Sequence, residues 1–326
     1  MNYELSIIIP AWQAGKYLAG CLSSILGRMP CPAEVLLVND ASNDDTLQIA
    51  QSFAAQHPQE LKIIDHPKNL GVAASRNTAL CLARGELCMF VDADDQIDSE
   101  EFSKLYARQK QHGTDLTCGN FLKIYPQGTT EKLFTKHSGS KLVSRGQHFP
   151  GMVPYLPMLD SSCGKLFRTS LLRQHGFRFN SALRYGEDTL FTHAYALAAD
   201  SLLFCYDCCC YLYYQHESSC MHTINMHTRL QQLDTLLCEM AKLTLDQATT
   251  DQILLRKACE TVWAMRKFSR SESEKRELLQ LFWQSEAVQR RLYDCISRRG
   301  KWKHRLLWHC LRNHKNGLDG FFLRFW

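Results

Sequence analysis

Three carboxylates within four residues, Asp92, Asp94 and Asp95, form the strongest chemical signal in the sequence. They follow the apolar run Leu87–Val91, which is typical of a buried strand. Carboxylates this close repel one another unless a proton or a cation reduces their charge. Mg²⁺ and Mn²⁺ prefer carboxylate and phosphate oxygens and keep few protein ligands when a diphosphate supplies the others. The pattern predicts a metal–diphosphate site, although the acids at 98–101 also fit an ordinary helix start.

An arginine and a second pair of acids have spacing that suits the same chemistry. Arg76 follows Gly71, a helix start whose backbone N–H groups can face a phosphate, and its side chain can contact a phosphate or pair with an acid. Glu187 and Asp188 open another predicted helix. Two acids there either interact with the helix dipole or, beside a nucleotide cleft, include a general base. The local pattern leaves both alternatives open.

Several other functions are disfavoured by the motifs. The chain has no Gly-x-Gly-x-x-Gly, Walker A, His-Glu-x-x-His or Gly-x-Ser-x-Gly pattern, which argues against dinucleotide oxidoreductases, P-loop enzymes, zincins and serine hydrolases. An EF-hand loop is out of register with the acids at 92–95. Cys205–Cys210 contains one Cys-x-x-Cys, but a second pair is missing, so buried thiols are favoured over a zinc site. Fifteen cysteines, an odd number at irregular spacing, favour reduced thiols in a cytoplasm.

The elements that must position these residues alternate between two periods. The sequence predicts strands at 5–9, 34–38, 61–64 and 87–91, separated by helices at 16–26, 42–56 and 72–83. Apolar strands alternating with helices indicate a parallel sheet covered on both faces, with ligands beyond the carboxyl ends of the strands. The segments directly after these strands are Pro10–Gln13, Asn39–Asp40, His66–Asn69 and Asp92–Asp95.

The rest of the chain divides near residue 223. Strands are predicted at 121–125 and 202–206, with 209–214 as the return strand of a hairpin turned near Asp207. Helices are predicted at 165–175 and 188–199, and the pattern is helical and basic from about Met226 onward. The expected domains are therefore 1–222, an α/β domain, and 223–326, a basic helical region.

Charge is distributed unevenly between these two regions. The chain carries a net charge of +5, but residues 256–326 contain 17 Lys and Arg against 7 Asp and Glu, a net of +10. Residues 301–312 predict an amphipathic basic helix, and aromatic residues follow as far as Trp326. Such a tail suits the anionic surface of a membrane. Docking onto the catalytic domain or a second subunit is the alternative, and no nucleic-acid fold motif is present.

Taken together, these residues resemble glycosyltransferase family 2, the inverting nucleotide-sugar transferases of GT-A fold, over roughly residues 4–222. The matching motifs are Ser6–Pro10 with Cys21–Leu26, Glu34–Thr46, Asn69–Gly71 with Arg76–Asn77, Phe90–Asp95, Lys165–Arg168 with Gly186–Phe191, and Tyr213–His216. The chain departs from the family pattern at Trp12–Gln13, Asn39 and Ser75, where Tyr-Asn, an acid and Ala are usual.

For the donor, the resemblance implies a set of binding residues at the edge of the sheet. Pro10, Trp12 and Asp40 would hold the nucleobase, which is expected to be uracil. Asn69 would belong to the same nucleotide-sugar site. Arg76 would contact the nucleoside or the diphosphate.

For the chemistry, the resemblance implies a metal ligand and a base. Asp92 would also contact the nucleoside or diphosphate, and His216 the leaving diphosphate. Asp94 would bind Mn²⁺ or Mg²⁺ bridging that diphosphate. Asp188 would deprotonate the acceptor hydroxyl, with Glu187 as the second candidate.

The implied activity is metal-dependent, inverting transfer of a hexosyl group from a UDP-sugar to a hydroxyl group. The acceptor would be a surface glycan or a lipid-linked glycan, such as lipopolysaccharide or capsule. The protein would act in the cytoplasm, on the inner face of the membrane through its tail. A catalytically idle nucleotide-sugar or anionic-surface binding protein is the alternative, and a phosphatase of the Asp-x-Asp type is a weaker one.

Overall fold

The computed structural model describes residues 2–135, 137–144, 157–216 and 226–243, together with a few positions between 253 and 277. The chain separates into two compact units, Met1–Cys220 and Met221–Trp326. Within the described residues, no helix is both long and apolar enough to cross a membrane. The predicted tail helix at 301–312 lies outside the described residues.

The first unit alternates strands and helices before it becomes mixed. Its strands are β1 (Leu5–Ala11), β2 (Ala33–Asn39), β3 (Leu61–Asp65), β4 (Leu87–Phe90), β5 (Gln96–Ile97), β6 (Leu116–Gly119), β7 (Phe121–Ile124), β8 (Thr130–Lys132), β9 (Ser140–Ser144), β10 (Lys165–Arg168), β11 (Ser201–Cys205) and β12 (Tyr211–Tyr214). Its helices are α1 (Leu18–Ile25), α2 (Thr46–Gln56), α3 (Val72–Leu82), α4 (Ser99–His112), α5 (Thr169–Gln174) and α6 (Glu187–Ala198). In the second unit, α7 spans Met226–Lys242.

Eight strands form the central sheet, in the order β3-β2-β1-β4-β10-β6-β11-β9. The β1–β2, β2–β3, β1–β4 and β6–β11 pairs are parallel, whereas β10 is antiparallel to both of its neighbours and β9 is antiparallel to β11. A smaller sheet has the order β5-β12-β7-β8. The α/β architecture predicted for residues 1–222, with a mostly parallel sheet and flanking helices, is confirmed.

Strands β1, β2 and β4 are buried because their β-branched and aliphatic runs lie between layers of helices, whereas β3, at the end of the sheet, is only partly buried. Leu5, Ile7, Ile8 and Ile9 of β1 are all fully buried. The pairing of β1 with β4 stops at Ile8 and Phe90, before Pro10. Pro10 has no N–H group with which to extend that ladder. The two central strands therefore stop pairing at the edge where the candidate ligands were predicted.

Two expectations for the middle of the chain are wrong. Residues 165–175 are not one helix, because Lys165–Arg168 form β10 and pair with β4 and β6 before α5 begins. The segment Cys209–Tyr214 is not the return strand of a hairpin, because β12 leaves the central sheet and pairs with β5 and β7. In both cases a short apolar run fits helix or strand equally well, and only the distant pairing partner decides.

Helix α4 begins as the acids at 98–101 indicated. Asp98 is its N-cap, and one carboxylate oxygen accepts hydrogen bonds from the backbone N–H groups of Glu100 and Glu101. Asp98 is therefore structural, and the acids at 92–95 remain the candidates for ligand binding. Cys205, Cys208, Cys209 and Cys210 are buried free thiols.

Candidate functional site

The edge of the sheet brings the ends of β1 and β2 together. Ala11 pairs with Asn39, and the backbone N–H of Asp40 donates to the Ala11 carbonyl at 2.8 Å. Trp12 follows at once, and its side chain is 56% exposed. Gln13 has φ 51°, and its amide N–H donates to the hydroxyl of Ser42 at 3.1 Å. Trp12 is therefore held on an ordered loop beside Asp40, with its ring open to solvent.

Asp40 lies in a group that we call the Asp40 cluster, formed with His66, Leu70 and Gly71. Oδ1 of Asp40 accepts from the Leu70 N–H at 2.9 Å and lies 2.8 Å from His66 Nδ1. Oδ2 accepts from the Gly71 N–H at 2.8 Å. Asn69 donates to the Asp40 carbonyl at 3.3 Å. The protein itself compensates this carboxylate, which is only 3% exposed.

Gly71 is needed for this geometry. Its φ of 88° lies in the left-handed region, and it is the N-cap of α3. The Asp40 carboxylate binds the N–H groups of Gly71 and its predecessor, so it fixes the start of α3 from a neighbouring strand. Since α3 carries Arg76 one turn further on, the Asp40 cluster also sets the position of that guanidinium.

Arg76 is the centre of a second group, the Arg76 cluster, which includes Asp92, Glu187 and Asp188. Nη2 donates to Asp92 Oδ1 at 2.8 Å. Nη1 donates to Asp188 Oδ1 at 2.7 Å and to Glu187 Oε1 at 3.1 Å. The side chain of Arg76 is 3% exposed, and its buried Nε finds no hydrogen-bond partner within the described part of the chain. Arg76 thus joins the acids after β4 to the acids at the start of α6, two regions that lie far apart in the sequence.

The surroundings of Glu187 and Asp188 shift the pKa values of these two acids in opposite directions. Burial, followed by the charge of Asp188, raises the pKa of Glu187 well above its ordinary value. Burial alone would raise the pKa of Asp188 as well. The charge of Arg76 and the hydrogen bonds from Glu187 and Ser162 outweigh it and lower that pKa. Asp188 is therefore the ionised member of the pair at neutral pH.

The other two acids after β4 face different environments. Burial and the charge of Asp92 raise the pKa of Asp94. Asp95 is 2% exposed and accepts from the Tyr214 N–H at 2.9 Å, so it is a structural acceptor. Of Asp94 and Asp95, Asp94 is therefore the candidate for binding a ligand. Among the described residues, no group of three or more His, Cys, Asp and Glu side chains is arranged to hold a metal ion.

His216 lies against this acidic turn. Its Nε2 is 3.5 Å from the Asp94 carbonyl oxygen. Its ring stacks on Tyr17, with centroids 4.1 Å apart, and more distantly on Tyr214. The structure therefore brings the predicted His216 next to Asp94, although 122 residues separate them.

Sequence reasoning missed three residues that position the site. The backbone N–H and hydroxyl of Ser162 each donate to Asp188 Oδ2 at 3.4 Å. Tyr211 accepts from the Asp92 N–H at 3.1 Å, and Tyr17 supports His216. None of them stands in a motif, because each acts through a contact with a residue distant in the sequence.

Comparisons with known proteins find matches among glycosyltransferases. The family model described as glycosyl transferase family 2 matches residues 6–176. TarS of Staphylococcus aureus, a poly(ribitol-phosphate) beta-N-acetylglucosaminyltransferase, is 27% identical over 77% of this chain and 43% of the relative. A poly(ribitol-phosphate) beta-glucosyltransferase of Bacillus spizizenii is 28% identical over 58% of this chain and 29% of the relative.

A solved structure extends the likeness through most of the chain. The crystal structure of S. aureus TarS 1-349 in complex with UDP-GlcNAc aligns with a TM-score of 0.70 and 25% identity, covering 95% of this chain and 87% of that one. The chain spans less than half the length of the two curated relatives. The family match covers more than half of this chain, and the fold is that of the matched GT-A structures. This chain belongs to glycosyl transferase family 2.

Proposed function

We propose that this protein is an inverting glycosyltransferase that moves a hexosyl group from a UDP-sugar to a hydroxyl of a surface glycan. The observation that carries the proposal is the Arg76 cluster, in which an ionised Asp188 is held beside the acids that follow β4. A sugar hydroxyl is a poor nucleophile, so a positioned carboxylate base accelerates its attack. The names of the relatives, which act on poly(ribitol-phosphate), support a polymeric acceptor.

The reaction would proceed by a single displacement, without a covalent enzyme intermediate. The acceptor oxygen forms a bond to the anomeric carbon as the bond from that carbon to the diphosphate oxygen breaks. The electron pair leaves with UDP, and the hydroxyl proton passes to Asp188. Attack opposite the leaving group inverts the anomeric centre. Glu187, the second candidate for the base, is the weaker one because burial and the charge of Asp188 raise its pKa, whereas the pKa of Asp188 is lowered.

A divalent cation fits the residues present. The Arg76 cluster sets one guanidinium against three carboxyl groups, and Asp94 adds a fourth nearby. Asp94 would hold Mn²⁺ or Mg²⁺ together with the oxygens of the donor diphosphate, since hard cations prefer oxygen ligands. When bound, the cation would stabilise the negative charge that develops on the departing diphosphate. His216 lies against the turn that carries Asp94 and would contact that diphosphate.

Donor binding would use the open edge beside the Asp40 cluster. Trp12 and Pro10 would contact the base, which we expect to be uracil. The Asp40 carboxylate already accepts two backbone hydrogen bonds and contacts His66, and it would reach the base through the remaining lone pair on Oδ2. Asn69 would complete this side of the site. Arg76 is buried beneath its acids, so it would act on the donor mainly through Asp92.

Release of UDP tests the proposal directly. The full chain, incubated with UDP-GlcNAc and Mn²⁺, should release UDP, and excess EDTA should stop the release. An idle binding protein would bind the donor without releasing UDP. A phosphatase would release inorganic phosphate from simple phosphate esters, which this protein should leave intact.

The basic tail, residues 301–326, is expected to bring the enzyme to an anionic membrane where a lipid-linked acceptor is found. These residues lie outside the described part of the chain. Flotation with anionic vesicles should carry the full chain upward, less so at high salt, whereas a chain ending near residue 299 should stay in solution and still release UDP. If the full chain does not float with anionic vesicles, the proposed membrane role of the tail is contradicted.

A further inference from the structure

Glu187 and Asp188 share one nitrogen of Arg76, and this contact constrains their charges. Glu187 is the first residue of α6, and Asp188 is the second. Nη1 of Arg76 lies 3.1 Å from Glu187 Oε1 and 2.7 Å from Asp188 Oδ1. The carboxyl of Glu187 is the more buried, with its side chain 10% exposed against 20% for Asp188 and 39% for Asp92.

The surrounding charges do not allow all three acids to be ionised at low cost. Arg76 supplies one positive charge. Other titratable groups that interact electrostatically with this cluster include Cys163, Lys165, Asp160, Asp94 and Tyr211. Lys165 is fully buried and donates to the Cys163 carbonyl at 3.0 Å, and burial lowers the pKa of its ammonium, so it compensates the acids weakly. Placing a proton on the most buried acid is the least costly way to reduce the excess charge.

We propose that Glu187 is a positioning residue that stays protonated in the working enzyme and donates a hydrogen bond from its carboxyl O–H to the ionised Asp188. This inference rests on the proposed function, in which Asp188 is the base. Both carboxyls lie within 3.1 Å of the same Arg76 nitrogen, and the direction of both pKa shifts supports the proposal, because the interaction between the two acids raises the pKa of Glu187 and lowers that of Asp188.

This arrangement would leave one side of the base available to the acceptor. Arg76 and Glu187 hold Asp188 from one direction, and Oδ1 receives the short bond from Arg76. Among the described residues, Oδ2 accepts only the two longer contacts from Ser162, each 3.4 Å, which an acceptor hydroxyl can replace. A carboxylate fixed in this way keeps a defined direction for proton transfer, and loss of such orientation costs about 100-fold in rate.

The test compares two variants of Glu187 in the full chain, with UDP-GlcNAc and Mn²⁺ as the probe and UDP release as the readout. Glu187→Gln keeps a neutral hydrogen-bond donor of the same shape, so kcat should stay within about threefold. Glu187→Ala removes the donor, and kcat should fall about 10- to 100-fold with little change in the donor KM. Glu100→Gln and Glu100→Ala, in the first turn of α4, are matched controls and should leave kcat and KM unchanged.

The pH profile separates this role from a merely structural one. In Glu187→Ala, the acid limb of kcat/KM should move to higher pH, because Asp188 loses a hydrogen bond that favours its charged form. Had Glu187 been ionised, its removal would relieve repulsion and move that limb to lower pH. A move to lower pH, or a Gln variant as impaired as the Ala variant, overturns the proposal.

Infrared difference spectra test the proton without any turnover. Wild type minus Glu187→Gln should show a protonated-carboxyl band at neutral pH, and its absence would also overturn the proposal. This readout remains if Glu187→Ala fails to fold. The proposed function fails separately, if wild type releases no UDP or if Asp188→Asn stays fully active.

Discussion

The Asp40 cluster and the Arg76 cluster, both at the edge of the sheet, differ in how the charge of their carboxylates is compensated. In the Asp40 cluster, one carboxylate meets two backbone N–H groups and a histidine. In the Arg76 cluster, three carboxyl groups share one guanidinium, and Asp94 stands close by. A carboxylate whose charge the fold itself compensates stays ionised without a bound cation. Negative charge that the fold leaves uncompensated marks the place where a cation or a proton must complete the site.

The largest expected effect comes from removing the charge of Asp94. Asp94→Asn should reduce UDP release to background, because the cation would lose its protein ligand. The same change should raise the melting temperature of the metal-free protein at neutral pH. Burial and Asp92 raise the pKa of this acid, so its ionised form costs stability at any pH above its ordinary pKa, and Asn carries no charge. Activity assays and thermal melts with and without Mn²⁺ check both parts.

Retained activity in Asp94→Asn, or wild-type activity in excess EDTA, would contradict the assignment of Asp94 as a metal ligand. A melting temperature that falls in the variant would instead show that Asp94 is compensated within the protein, and the contrast between the clusters would then disappear.

The next effect concerns the base. Asp188→Asn should lower kcat about 100-fold or more while donor affinity is preserved, because the amide cannot accept the hydroxyl proton. Steady-state kinetics with UDP-GlcNAc and a separate measurement of donor binding check this. Glu187→Gln should harm turnover less. If Glu187→Gln were inactive and Asp188→Asn active, the two roles would have to be exchanged.

A smaller effect is expected at the Asp40 cluster, where the change in stability should be opposite in sign to that of Asp94→Asn. Asp40→Asn should lower the free energy of unfolding by about 1–3 kcal/mol, because an amide NH₂ would face donors that a carboxylate accepted. The donor KM should rise several-fold as the start of α3 loosens. Denaturant unfolding and kinetics measure the two effects. Replacing Asp by Asn would thus stabilise the protein at position 94 and destabilise it at position 40. Stability changes of the same sign at both positions would refute the comparison.

The smallest effect is a control far from either cluster. Asp207 forms a bidentate ion pair with Arg108, both half-exposed, and this hydrogen bonding lowers the pKa of Asp207. Asp207→Asn should cost about 0.2–1 kcal/mol after solvent screening and leave kcat unchanged. The stabilising contribution of a lowered carboxyl pKa is present above the ordinary pKa and is lost as pH falls through the folded value. The difference in melting temperature between wild type and variant should therefore shrink in acid.

Much of the first hundred residues was predictable because their signals are local. Each strand from β1 to β4 is a largely apolar run, and each intervening helix has its own period, so the order of elements follows without knowledge of any partner. The acids at 92–95 and the pair at 187–188 were recognisable for the same reason. The predicted boundary near residue 223 remains a prediction.

Contacts between distant segments were decided only by the tertiary structure. The sequence showed that Arg76, Asp92 and Asp188 were of the right type for one site. It could not show that Arg76 is buried beneath three acids, nor that Ser162 holds Asp188. Hydrogen-bond partners and burial depend on which strands pair, and the assignment of Lys165–Arg168 to a strand shows how a short segment takes its structure from its neighbours. The residue types at the site could be recognised from local sequence, whereas their protonation and orientation depend on charges that the fold brings together from three parts of the chain.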